Sequence, residues 1–254
     1  DADAAIAGML ADKDAAVRSL AVEIIGQRKA GQAAASLLKA AADEEQSVRL
    51  AALKALRDQV GETELPELLA ILVRARSAAD TQAAESALGA LCAREKAPVS
   101  GNIVIEKAEY GDLPGGPSAD VTAKVAAMVN DGALAVEATN GNFGDPARGV
   151  TKKLRVDYSV NGAAASKTVA EGESLAFTAV STPPAIVDAI CGAAAGARGE
   201  AKLALLRVLR TVGGAKALAT VKSAAADEDA QVKDTALRAL CDWPTPDALP
   251  EVAR

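Results

Sequence analysis

Apolar residues recur with helical spacing in the N-terminal and C-terminal parts of the chain. In residues 17–25 they occupy positions i, i+4, i+7 and i+8, and residues 48–56 repeat this spacing. Such spacing places the apolar side chains on one stripe of a helix with 3.6 residues per turn. Both ends of the chain are therefore predicted to be built from amphipathic helices.

The helical pattern belongs to a larger unit that recurs along the chain. Val17 and Val48 lie 31 residues apart (48 − 17), and Val232 lies 31 residues after Ala201 (232 − 201). An apolar helix precedes each of these helices, and in three copies the turn between the two is acidic. A helix pair cannot bury both of its faces alone, so we expect successive pairs to stack on one another.

The copy formed by Asp14, Val17, Arg18 and Ala21 has the pattern D-x-x-V-R-x-x-A, and the copies that start at Glu45 and Asp229 each differ from it by one residue of the same charge. This pattern at this period resembles HEAT repeats, over roughly residues 1–96 and 183–254. The resemblance implies a mainly α fold, an α-α superhelix of the HEAT type (armadillo-like), which usually offers an elongated surface to protein partners.

A basic residue recurs at one position of the repeat, as Arg18, Arg49 and Lys233. One interpretation is a basic stripe that binds an acidic protein partner. The other is a ladder in which each cation pairs with an acidic turn residue of the adjacent repeat. The ladder is favoured, because the acidic and basic residues recur together and isolated surface charges contribute little to stability.

The helical pattern stops between Pro98 and Pro183, where segments with two-residue alternation predict strands. One of them is residues 152–160, and Asn161-Gly162 then supplies the turn of a hairpin. We therefore expect a small β-sandwich-like insertion domain that interrupts the solenoid. The predicted domains are N-terminal HEAT-like repeats (1–97), the inserted β-rich domain (98–182) and C-terminal HEAT-like repeats (183–254).

The insertion carries a second recognisable pattern, AEYGD…DVT…N-x-N-FGDP…G-x-x-K-x-L-x-V-x-Y…V-x-E-G, which runs from Ala108 to Gly172. It resembles a poorly characterised β-domain at the C-terminus of some J-domain co-chaperones, which is also appended to large, often exported bacterial proteins. The resemblance implies a β-sandwich-like module without assigning it a chemistry. It favours a bacterial origin and an exported or periplasmic location.

The loop from Asn140 to Pro146 contains the best candidate ligand site of the insertion. Asn140, Asn142 and Asp145 offer oxygen ligands to calcium, or hydrogen bonds to a sugar that stacks on Phe143. However, the spacing is not that of an EF-hand and the loop has one carboxylate. Asn, Gly, Asp and Pro are also ordinary turn residues, so a structural loop in which Phe143 fills a small core is favoured.

Composition excludes several classes of function. The chain has no histidine, which removes His-based catalytic triads and His metal sites, and its three cysteines form no C-x-x-C pair. A net charge of −6 argues against nucleic-acid binding. Charges interrupt every apolar stretch before it reaches membrane-spanning length, so no membrane insertion is expected. We expect no catalytic residues, no metal and no cofactor.

These observations favour a non-catalytic, protein-binding scaffold. Because the sequence starts without Met and ends within an unfinished repeat, we interpret it as part of a larger protein. The alternative is a carbohydrate-binding accessory module that acts through the β-rich insertion.

Overall fold

The computed structural model describes residues 6, 8–28, 33–98, 103–243 and 248. These residues form two compact units. The helical unit contains the described residues up to Lys96 and again from Thr182 to Trp243, whereas the β-rich unit contains those from Ala97 to Ser181.

The N-terminal part of the helical unit consists of helix pairs. Its described helices are α1 (Ala15–Arg28), α2 (Ala33–Ala40), α3 (Gln46–Leu56), α4 (Leu65–Val73) and α5 (Ala78–Arg94). The residues that precede α1 and α5 cap these helices: Asp14 accepts a hydrogen bond from Ala16 N, and Ser77 accepts one from Asp80 N. Such caps satisfy N–H groups that have no partner within the helix.

The β-rich unit is formed by antiparallel strands and two short helices. In chain order these elements are β1 (Ala97–Pro98), β2 (Ile103–Gly111), β3 (Ser118–Asp120), α6 (Thr122–Ala127), β4 (Val129–Asn130), β5 (Ala133–Glu137), α7 (Asn140–Phe143), β6 (Lys153–Val160), β7 (Ala163–Ala170), β8 (Ser174–Thr178) and β9 (Val180–Ser181). One sheet has the order β3-β2-β6-β7, a second has the order β4-β5-β8, and β1 pairs with β9.

The hairpin turn predicted at Asn161-Gly162 is confirmed. Both residues have positive φ angles, 53° and 82°, and they join β6 to β7 in continuous register. Asn and Gly adopt this conformation at little cost, which is why they favour two-residue hairpins.

Side chains from both sheets meet in one core. Tyr110 and Leu154 come from the sheet that contains β2 and β6, and Leu134 and Leu175 come from the sheet that contains β5 and β8. All four side chains are fully buried. This core has no residue from the helical unit, so the insertion has a hydrophobic core of its own.

After the insertion the helix pairs resume as α8 (Pro184–Gly196), α9 (Gly199–Val212), α10 (Ala215–Ala224) and α11 (Ala230–Cys241). In each pair one helix follows the turn, and we call it the second helix; these are α1, α3, α5, α9 and α11. Each second helix packs against the second helix of the following pair, and α5 packs directly on α9. The described helices therefore form one solenoid-like stack that continues across the insertion.

The two ends of the insertion lie side by side. Ala97 pairs with Ser181, and Pro98 pairs with Val180, in the short ladder between β1 and β9. Because the chain leaves and returns at neighbouring positions, α5 and α9 can stack as consecutive repeats although about a hundred residues separate them along the chain.

Candidate functional site

Arg18 links the first two helix pairs. Its guanidinium donates two hydrogen bonds of 2.8 Å to the carboxylate of Asp43, in the turn of the next pair. It also donates to the carbonyl oxygens of Asp12 and Lys13, in the turn of its own pair. One side chain thereby fastens two consecutive turns, and the planar, forked guanidinium suits this task.

Arg49 forms a similar set of bonds one pair further on, although its carboxylate partner, Asp80, lies in the first turn of α5. It donates to Asp80 Oδ2 at 2.9 and 3.1 Å and to the carbonyls of Asp43 and Glu44. A third link joins Lys202 Nζ to Asp227 at 2.6 Å. The prediction missed Lys202, because its helix lacks the Val-Arg pair that marks the other copies.

We call these three pairs, Arg18–Asp43, Arg49–Asp80 and Lys202–Asp227, the ladder. They change the pKa values of their carboxyl groups. The hydrogen bond from Arg18 lowers the pKa of Asp43, and the hydrogen bond from Lys202 lowers that of Asp227. For Asp80, burial acts to raise the pKa, but hydrogen bonds from Arg49 and Ser77 outweigh it, so the pKa is lowered. All three carboxylates are thus held in their ionised form.

The structure therefore does not present the recurring cations as an open basic stripe. Arg49 is buried and Arg18 is largely covered, and each is engaged in the ladder. Lys233, by contrast, is exposed and forms no ion pair with any residue that the structure describes.

The junction between α5 and α9 departs from the repeat pattern. Four residues after the helix cap, the other second helices carry Arg or Lys, whereas α5 carries Thr81. Eight residues after the cap they carry Val or Leu, whereas α5 carries Glu85. Glu85 instead accepts two hydrogen bonds, of 2.7 and 2.8 Å, from Arg207 on α9.

An open groove of about 660 Å³ lies at this junction. The α5 side of the groove is lined mainly by small side chains, which leave space open. A Cβ added at Gly89 would meet no atom within 4 Å. The Glu85–Arg207 pair spans the groove. Its lining also includes Ala78, Gln82 and Ser86 from α5 and Glu200, Arg210 and Thr211 from α9.

In the β-rich unit, Asp145 of the candidate loop and Glu171, which follows β7, lie beside Lys152. Its ammonium group is buried, lies 3.1 Å from Asp145 and 3.5 Å from Glu171, and donates to the carbonyl of Val150 at 3.1 Å. Burial acts to lower the pKa of Lys152, but the two carboxylates outweigh it and raise the pKa. The cation therefore holds the loop to the sheet.

Tyr110 connects this cluster to the core. Its hydroxyl donates to Asn140 Oδ1 at 3.1 Å, and its ring packs against Phe143 with centroids 5.2 Å apart. Burial and the negative charge of Glu171 raise the pKa of Tyr110 to about 12. Phe143 is only 4% exposed, so its ring fills the core and offers no face for stacking on a sugar.

The remaining residues of the candidate loop have structural contacts as well. Asn142 donates its side-chain amide to the carbonyl of Glu137 at 2.8 Å, and its backbone N–H donates to Thr139. Asp145 keeps a partly exposed side chain beside Lys152. Carbohydrate binding at this loop stays a prediction, but the buried ring of Phe143 removes the stacking contact from it.

The described residues contain neither a cluster for a metal ion nor a membrane-spanning helix. No group of three or more Cys, Asp or Glu residues there is placed to hold a metal ion. In that same part of the chain, no helix combines the length and the apolar character needed to cross a membrane.

Comparison with known proteins agrees with the helical architecture. The family model described as HEAT repeats matches residues 2–89. This match supports a HEAT-repeat protein. The matched segment spans the first repeats of the stack, including both arginines of the ladder.

No curated protein matches the chain. A solved engineered protein, Northeast Structural Genomics Consortium target OR329, aligns with 11% identity and a TM-score of 0.38, over 100% of this chain and 85% of that protein. That score is too low to carry an argument.

We predict that Arg49→Met lowers the free energy of unfolding by about 3 kcal/mol, because Asp80 is left charged and buried without its partner. The double variant Arg49→Met/Asp80→Leu should recover most of this loss. Urea titration measures both. The control is Arg238→Met, in an exposed pair on α11, which we expect to change stability by less than about 0.5 kcal/mol. Equal effects at positions 49 and 238 would contradict the ladder.

The lowered pKa of Asp43 predicts a dependence of stability on pH. A carboxyl with a lower pKa in the folded state stabilises the fold above its unfolded pKa, and this contribution is lost as the pH falls through the folded pKa. Asp43→Asn should therefore lose less stability than the wild-type chain between about pH 5 and pH 2. Asp12→Asn is the control, since Asp12 occupies the same turn position without a paired cation. Identical slopes for Asp43→Asn and the wild type in urea titrations would refute this.

Proposed function

We propose that this chain is a non-catalytic scaffold that binds an extended segment of a protein partner in the groove between α5 and α9. The supporting observation is that this junction departs from the repeat pattern and leaves open space lined by polar and small side chains. In α1, α3 and α9, the equivalent positions are filled by ladder cations and buried aliphatic residues.

The chemistry of the groove suits a peptide. Gln82, Ser86 and Thr211 can exchange hydrogen bonds with a peptide backbone. The Glu85–Arg207 pair offers one charge of each sign, and Arg207 keeps 44% of its side chain exposed. A small-molecule site would instead be a mostly enclosed, hydrophobic cavity.

A catalytic role has little support among the nucleophiles of the helical unit. Burial raises the pKa of the Cys92 thiol to about 11, so it is protonated at neutral pH. Cys191 is buried too. The sequence has no histidine to act as a general base near neutral pH.

For the β-rich unit we infer a sandwich-like arrangement, because side chains of its two sheets share one core. The likeness of its sequence pattern to the C-terminal domain of some J-domain co-chaperones remains a hypothesis. Carbohydrate binding by stacking on Phe143 has no support from the structure, since that ring lies in the core.

The groove can be tested by blocking it. Peptides are selected from a random display library on the immobilised full chain, and their affinities are measured by calorimetry. Gly89→Trp should weaken binding at least about tenfold, because the indole fills space that is open in the structure. Gly192→Trp is the matched control, since Gly192 is also helical and has open space around it, but lies on α8.

The expected result is a set of peptides that bind the wild type and Gly192→Trp equally and lose affinity for Gly89→Trp. Selection of no peptide would contradict the proposal. So would peptides that bind Gly89→Trp as tightly as the wild type.

A further inference from the structure

A second cavity, of about 420 Å³, lies between α2 and α4, the helices that open two consecutive pairs. The corresponding helices of the later pairs pack together, α4 against α8 and α8 against α10. Both pairs around the cavity are inside the stack, because α1 packs on α3 at one side and α9 packs on α5 at the other. The cavity therefore does not depend on either end of the chain.

The walls of this cavity are mainly apolar. Leu38 on α2, Leu53 on α3 and Ile71 on α4 supply its aliphatic surface. Small side chains widen it: Ala41, Ala42, Ala70 and Ala75. Among the described residues of the lining, none carries a neutral amide or hydroxyl side chain. A peptide backbone would find few hydrogen-bond partners here, whereas an aliphatic chain needs none.

Three cations lie at one end of the cavity. Lys39 is in the last turn of α2, Arg74 follows the last residue of α4, and Arg76 is in the next turn. Arg76 donates to the carbonyl oxygens of Ala42 and Asp43 at 3.4 and 3.2 Å, so the ends of α2 and α4 lie close together. Lys39 and Arg74 are exposed, and neither pairs with any residue that the structure describes.

The other charges of the lining do not cancel these cations. Arg49 and Asp80 neutralise each other in the ladder. Glu67 lies in the first turn of α4, seven residues before Arg74 and thus about 10 Å away along the helix. One end of the cavity is therefore cationic, in a chain whose net charge is −6.

We propose that this cavity binds a medium-chain aliphatic carboxylate, with its carboxylate at the three cations and its chain along Leu38 and Ile71. The cavity volume falls within the range of about 300–1,000 Å³ that is usual for small-molecule sites. The forked guanidinium groups suit a carboxylate, and the apolar walls suit an alkyl chain. This proposal does not rest on peptide binding in the groove between α5 and α9, which is lined by other residues.

Isothermal titration calorimetry of the full chain with octanoate, below the concentration at which it forms micelles, tests the site. The wild type should bind one octanoate per chain. Butanoate should bind at least about tenfold more weakly, because it buries less apolar surface. Octan-1-ol should also bind at least about tenfold more weakly, because it has no charge to pair with the cations.

Arg74→Gln should weaken octanoate binding at least about tenfold, because it removes an unpaired guanidinium from the cationic end. Arg57→Gln is the matched control: Arg57 is also exposed and follows α3 as Arg74 follows α4, but it does not line the cavity. Ala70→Leu, at an exposed position of the lining, should weaken binding to a similar extent by filling the cavity. Circular dichroism checks that every variant is folded.

The proposal is overturned if the wild type binds no octanoate, if butanoate or octan-1-ol binds as tightly as octanoate, or if Arg74→Gln and Arg57→Gln bind octanoate equally. A tripeptide with a blocked amino terminus and a free carboxyl-terminal leucine is titrated as well. Binding of this peptide more tightly than octanoate would also overturn the proposal, because it would assign the cations to the end of a peptide chain.

Discussion

The stacking of each second helix on the next is the interaction on which the rest of this structure depends. A helix pair of this size exposes apolar surface on both sides, and burial of that surface against neighbouring pairs is the main source of its stability. The ladder of Arg18, Arg49 and Lys202 adds direction to this nonspecific attraction. Each cation binds a carboxylate in the next pair, and Arg18 and Arg49 also bind carbonyls in the turn of their own pair, so the ladder fixes the register in which the pairs stack.

The same constraint explains how a β-rich unit is accommodated within the series. A stack of repeats requires contact between neighbouring helices, but it does not require that they be close in sequence. The pairing of Ala97 with Ser181 returns the chain to the point where it left, and α9 then packs on α5 as the next repeat would. Since the insertion has its own core around Tyr110 and Leu154, it needs no apolar surface from the helices.

Local patterns in the sequence were enough to predict the helix pairs and a strand-rich insertion between them. The 3.6-residue stripes predicted the helices, and Asn161-Gly162 predicted a hairpin because few other residue pairs adopt that turn. Features that depend on contact across the insertion could not be predicted. The pairing of Glu85 with Arg207, and the groove that it spans, require α5 and α9 to be neighbours. Lys202 was missed because the prediction relied on a Val-Arg pair, and no Val precedes Lys202. Its role depends instead on its position four residues after the helix cap.

Hydrogen exchange measured by mass spectrometry tests the direct stacking of α5 on α9 across the insertion. Leu205 is fully buried on α9, and Leu205→Ala should destabilise that helix by about 2–5 kcal/mol. If α5 and α9 are stacked neighbours, the variant accelerates exchange in α5 as well as in α9, because the two helices open together. Unchanged protection of α5 beside faster exchange in α9 would contradict the account.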